Sequence, residues 1–301
     1  MTKEFINKVG YKEKNTFSNP IFCLRLQDEN DNPSEIYKEI KETLDSAFDK
    51  NNNNSIINQL SEKFKLPDNL HPQLDFINYG NTQLVYLATL SNSKFNKQFT
   101  VLINQPSVKL EIIKEEFKNL QNIFKIDPQF VVEPHAFFTN EKHSLYATTY
   151  IEKARCIYGD YDKWGMFDPK PNYHFVPFNQ EVSDKVSSNM IALLVRYYDE
   201  KQTKGISKTQ LCGDDFILTQ DWDKNNPNTI LKNMKLISAR GMIETTLNKY
   251  LDILRTEFTI GTHYKDDIVK RGEIKVNFKS GLPMSKKIIE DGINLGLSLR
   301  K

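Results

Sequence analysis

An α+β fold in two parts, strand-rich first and helical after, is what the sequence predicts, and three observations carry it. Between residues 74 and 151 the apolar residues recur with the period of strands, interrupted by one helical stretch at 109–125. After Glu152 the spacing lengthens to that of helices. Ahead of both, residues 34–64 read as two helices, with little strand pattern before them.

The first helix is predicted at 34–48, where Ser34 can cap and Ile36, Tyr37, Ile40, Leu44 and Phe48 recur at helical spacing. It stops at Asp49-Lys50-Asn51-Asn52-Asn53-Asn54, a turn by composition, because asparagine competes with the helix for its own backbone bonds. A shorter helix follows at 55–64. Residues 74–79 and 83–90 then read as strand, glycine turn and strand, and 98–104 as a third strand. The helix at 109–125 carries Ile112, Ile113, Phe117, Leu120 and Phe124 on one face, and two more strands are expected at 131–138 and 144–151. An aromatic-rich connection, with Tyr158, Tyr161, Trp164, Phe167, Tyr173 and Phe175, leads to a helix at 183–201. Residues 235–241 read as a short strand into a turn, Ile243 to Phe258 as a long helix, and 285–297 as a weaker one. The expected division is a helical N-terminal extension over 1–70, a strand-rich lobe over 71–152 and a helical lobe over 153–301.

Composition narrows the classes of function. The 301 residues carry 41 Lys and Arg against 39 Asp and Glu, a net charge of +2, which gives no long-range attraction to nucleic acid or an anionic membrane. Acids rather than cations are interleaved with the aromatic stretch (Asp160, Asp162, Asp168), so nucleic acid is not an expected partner. Three scattered cysteines fit neither a disulfide framework nor a zinc site. No apolar run reaches the roughly 18 residues of a membrane span, and the expectation is a soluble, cytoplasmic protein. Hydrolase chemistry has no support, since no Gly-x-Ser-x-Gly elbow is present.

One stretch does suggest chemistry: Leu211-Cys212-Gly213-Asp214-Asp215-Phe216-Ile217-Leu218-Thr219-Gln220 sets two carboxylates between a glycine and an apolar strand. Out of context it is a turn whose acids cap backbone amides. A polymerase-type metal hairpin would need further carboxylates and a basic channel. Cys212 beside Asp214 is a poor nucleophile, because a neighbouring carboxylate raises a thiol's pKa.

In context, the order of elements resembles the protein-kinase-like fold: a five-stranded antiparallel first lobe with one helix, then a helical lobe. The resemblance is closest to the aminoglycoside phosphotransferase and choline kinase type. Tyr79-Gly80-Asn81-Thr82-Gln83-Leu84-Val85-Tyr86 resembles that family's glycine turn and second strand, Cys212-Gly213-Asp214 its catalytic loop, and Leu236-Ile237-Ser238-Ala239-Arg240-Gly241 its metal-binding turn. The resemblance implies ATP and Mg²⁺ as ligands, Gly80, Asn81 and Thr82 near the phosphates, Glu115 or Glu116 as the helix acid, and Tyr150 and Ile151 as the hinge. Asp214 would accept the proton of the attacking hydroxyl. Asp215 and Asp221 are the carboxylates that could serve a metal.

The departures fall on the chemistry. Near Asn104, where the family's third strand has a lysine, there is no cation; Thr219 stands for the metal-binding asparagine, Ser238 for the metal aspartate and Cys212 for the histidine. Phosphoryl transfer rests on positioning and on neutralising phosphate charge, so these losses remove most of the family's catalytic electrostatics. The expectation is therefore a pseudokinase acting by nucleotide or protein binding. The alternative is a divergent small-molecule phosphotransferase with Asp214 as base.

Overall fold

The computed structural model describes residues 35–79, 83–105, 108–160, 163–167, 175–207, 211–256 and 284–300. They divide into two compact units, 35–117 with 133–150, and 118–132 with 151–256 and 284–300. The chain is mixed α+β, with a five-stranded antiparallel sheet in the first unit. No helix among the described residues is long and apolar enough to cross a membrane.

Two helices open the first unit, α1 (Glu35–Ala47) and α2 (Ile56–Phe64). The asparagine run between them is a turn held by its own side chains: Asn52 Nδ2 donates to the Ser46 carbonyl (3.2 Å) and Asn52 Oδ1 accepts from the Asn54 amide (3.2 Å). Ser55 caps α2 by accepting from the Asn58 amide, and Lys65 ends it in the left-handed region (φ 54°). The sheet contains β1 (His71–Tyr79), β2 (Gln83–Ser91), β3 (Asn96–Asn104), β4 (Pro134–Thr139) and β5 (Ser144–Thr149), in the spatial order β1-β2-β3-β5-β4. Helix α3 (Leu110–Ile126) intervenes between β3 and β4 in the chain, so the expected order of three strands, one helix and two strands is present.

Strand alternation sorts the side chains of this sheet. Leu84, Tyr86, Ala88 and Leu90 of β2 and Phe99, Val101 and Ile103 of β3 share one buried core with Ile40, Leu44, Ile56 and Leu60 of the two helices. Residues 35–64, expected as an extension, thus close one face of the sheet. Phe117 of α3 lies against Phe137 and Tyr146, with ring centroids 5.3 and 5.8 Å away. The outer edge of β4 is also covered: the Gln59 amide donates to the Phe137 carbonyl (2.7 Å) and accepts from its N–H (3.1 Å), which satisfies an edge that would otherwise be open to pairing.

The second unit holds more strand than its helical expectation. The aromatic connection is not a loop throughout: β6 (Arg155–Cys156) is followed by β7 (Tyr158–Asp160), β8 (Lys163–Phe167) and β9 (Phe175–Pro177), the last three forming a small antiparallel sheet. Trp164 is wholly buried at its centre; its indole Nε1 donates to Ser187 Oγ (2.8 Å) and its backbone N–H to Ser183 Oγ (3.0 Å). Both serines lie on α4 (Gln180–Arg196), which begins at Asn179, a side-chain cap, three residues earlier than its apolar pattern suggested. Ile243, expected at the start of a helix, instead lies in β13 (Met242–Glu244), paired with β10 (Lys204–Ile206). Between these come β11 (Phe216–Leu218), the one-turn α5 (Ile230–Asn233) and β12 (Met234–Leu236); α6 (Leu247–Arg255) and α7 (Lys286–Leu299) follow. A Cβ on Gly292 of α7 would lie 2.6 Å from the Ser188 carbonyl oxygen, so glycine is what permits the close packing of α7 on α4.

His135 of β4 is a pH-sensitive group of the first unit. Its Nε2 meets Thr149 Oγ1 at 2.9 Å, and its ring lies edge-on to Phe64 and Phe99. Burial lowers its pKa from 6.5 to about 4; Lys63 and Lys97 push the same way and Glu133 opposes them. Unfolding returns the ring to its ordinary value, so the unfolded chain binds the extra proton between the two values. Stability contributed by neutral His135 is therefore complete above pH 6.5 and is lost as pH falls towards about 4. Urea denaturation at a series of pH values should show this, with a slope approaching about 1.4 kcal/mol per pH unit from this group. His135→Phe should reduce the slope in that window and leave the part contributed by His143, whose pKa burial also lowers.

Candidate functional site

Cys212, Gly213, Asp214 and Asp215 form a single tight turn after the buried Leu211, and β11 leaves from it directly. The Asp215 amide donates back to the Cys212 carbonyl (3.1 Å), and Asp215 Oδ2 accepts from the Cys212 amide (2.7 Å), so residue 215 closes the turn on both sides. Asp215 Oδ1 accepts from Arg240 Nη2 in an ion pair whose side chains are 6% and 15% exposed. The Ile237 amide reaches the Asp215 carbonyl at 2.8 Å. Residues 212–215 and 237–240 are thus joined through backbone and side chain together.

Burial pushes the Asp215 carboxyl above the usual carboxylate range; Arg240 and the Cys212 amide pull it down, and Asp214 pushes it up. Asp214, half-buried, lies beside it: one potential ligand atom from each of Cys212, Asp214 and Asp215 falls within 4.8 Å of the others. The Cys156 thiol belongs to the same neighbourhood. Burial and then Asp214 push it up to about 12, so it is a neutral thiol at physiological pH. Such a thiol is a poor nucleophile.

Mg²⁺ does not fit this donor set. A magnesium site wants free carboxylate and water oxygens in octahedral array, whereas both oxygens of Asp215 are engaged by an arginine and a backbone amide. Asp221 lies in the exposed turn after β11 and is not part of the cluster. Thr219 donates through Oγ1 to Asn233 Oδ1 (3.0 Å) and through its amide to the Asn233 carbonyl (2.9 Å), which binds it into its own hairpin. Ser238 is buried.

In the first unit Glu116 is fully buried on α3 and accepts from the side-chain amide of Gln83, itself buried at the start of β2. Gln83 pairs across the sheet with Asn104. Asn104 is a structural residue: its Oδ1 accepts from the Ser144 amide (2.7 Å), and its Nδ2 donates to the carbonyls of Gln105 and Val108 (both 3.1 Å). Glu115 is exposed, which leaves Glu116 as the inward acid. Gly80, Asn81 and Thr82 lie outside the described residues. Tyr150 and Ile151, both half-buried, follow β5, and the division between the units falls between them.

Gln83, Asn233, Arg240 and Trp164 are the residues that the sequence reading did not assign to the site. Arg240 was visible as part of the Ser238-Ala239-Arg240-Gly241 turn, but its partner lies 25 positions away. Gln83 was visible only as part of a strand. No local pattern marks either pairing.

No family model matches the chain, and no curated protein matches it. Among solved structures the kinase domain of BubR1 is similar, with a TM-score of 0.39 and 14% identity, covering 76% of this chain. The chain spans 61% of that kinase domain. A likeness of that degree carries no argument about activity.

Gly213 has a steric reason to be glycine: a Cβ there would lie 2.4 Å from Cζ3 of the Trp164 ring and 3.0 Å from the Ile157 carbonyl oxygen. Trp164 is held by two serines and cannot yield. Gly213→Ala should cost about 1–3 kcal/mol in urea unfolding and should shift the emission of the buried indole. An unchanged midpoint and spectrum would show that the turn has slack.

Proposed function

We propose that this chain is a kinase-like protein that has given up metal-dependent phosphotransfer and works by binding a nucleotide or another protein. The observation that carries the reading is that two of the acids the resemblance singles out, Glu116 and Asp215, are used internally. Glu116 bonds an amide, Gln83, where a kinase would pair it with a lysine. Asp215 is committed to Arg240 and the Cys212 amide. Thr219 and Ser238 stand at the two metal positions, and neither can supply the anionic oxygen that Mg²⁺ prefers. The order of strands and helices supports the kinase-like assignment.

A second reading has one observation in its favour. Asp214 is half-buried beside Asp215, and a carboxylate in that setting is a reasonable general base. Under this reading the chain is a divergent small-molecule phosphotransferase.

Thermal unfolding with ATP, ADP and GTP, each with Mg²⁺ or with EDTA, separates the two. The proposal predicts that any nucleotide-induced rise in Tm is the same in both conditions and persists in Asp214→Asn. A nucleotide that bound at a hundredth of its working concentration would stabilise by about 2.7 kcal/mol, well within detection. A rise that requires Mg²⁺ or Mn²⁺, together with phosphate transfer abolished by Asp214→Asn, would overturn the proposal in favour of the enzyme.

A further inference from the structure

The second unit contains a cavity of about 500 Å³ that no residue of the 212–215 turn lines. It lies against β6, β8, β9, the start of α4 and the loop after β11. Cavities of roughly 300–1,000 Å³ are those that hold small molecules. Its apolar wall contains Met166, Phe178 and Trp222; the last two rings meet at 63° with centroids 5.2 Å apart. Trp222 is half-buried, so part of its ring surface remains open.

Among the described residues, the charged groups that line this cavity are Arg155 and Lys224, with no acid beside them. Both cations are exposed, and neither has a carboxylate or hydrogen-bonding partner among the described residues. The acids nearest in sequence, Asp221 and Asp223, flank Trp222 but are not in the lining, and Asp223 Oδ1 is taken by the Asn225 amide at 2.8 Å. Two cations at the margin of one aromatic-walled cavity would both gain from an anion placed between them. The aromatic wall adds that the anion should carry a flat apolar body.

We infer that this cavity binds a planar aromatic anion, a carboxylate, sulfonate or phosphate ester, with its ring on Trp222 and its charge between Arg155 and Lys224. The inference does not rest on the kinase-like reading, because none of that reading's residues lines the cavity.

Calorimetric titration with 2-naphthalenesulfonate, and with its neutral analogue 2-naphthalenesulfonamide, tests it on the full chain. The sulfonate should bind saturably with one site, and the sulfonamide at least about tenfold more weakly. Arg155→Gln with Lys224→Gln should weaken the sulfonate by at least about tenfold and leave the sulfonamide unchanged. Trp222→Leu should weaken both. Because Arg155 also lies in β6, Lys224→Glu alone serves as the check against misfolding, and its far-ultraviolet spectrum should match the unmodified chain while sulfonate affinity falls. Absence of saturable binding up to about 1 mM, equal affinity for the neutral analogue, or undiminished affinity in both charge variants would each overturn the inference.

Discussion

The buried pair between Asp215 and Arg240 is the interaction on which the second unit's centre depends. Taking two charges out of water costs several kcal/mol per ion, and the loss is recovered only where geometry and further hydrogen bonds are good. Here they are: the second carboxylate oxygen holds the Cys212 amide, and the Asp215 carbonyl holds Ile237. The pair therefore fixes the turn at 212–215 against the segment that follows β12. β11 starts at the next residue and takes its register with β12 and β6 from that anchor.

That commitment sets what the turn can do. An aspartate bound by arginine on one oxygen and a backbone amide on the other is a poor ligand for a hard cation, and its neighbouring thiol, Cys156, is held neutral. In the first unit the buried Glu116 likewise accepts from a side-chain amide, that of Gln83. Glu116 and Asp215 are thus both part of the packing of their units. Asp214, half-buried beside Asp215, is the carboxylate on which the alternative, phosphotransferase reading turns.

Much of the first unit was legible from sequence because its information is local. The period-2 pattern of Leu84, Tyr86, Ala88 and Leu90, and the cap at Ser55, need only neighbours to be read. What was not legible depends on distance in the chain. The sheet formed by β7, β8 and β9 comes from strands of three to five residues, too short to establish a period, in a stretch that reads as an aromatic-rich connection. Ile243 fits a helical spacing with Leu247 and Tyr250, yet its backbone pairs with Gly205, a tertiary choice that no window around it reveals. At the site, the Gly213-Asp214-Asp215 run announced itself, but its meaning rested on Arg240 and Trp164, contributed from 25 positions downstream and from another sheet.

A double-mutant cycle on Asp215 and Arg240 tests most directly that the turn's acid serves the fold. Asp215→Asn, Arg240→Met and the double variant would be compared with the unmodified chain by urea denaturation. The account predicts a coupling energy of about 2 kcal/mol or more, because each single change strands a buried partner that the double change removes. A coupling near zero, with the single variants as stable as the original, would contradict it and leave Asp215 available for chemistry.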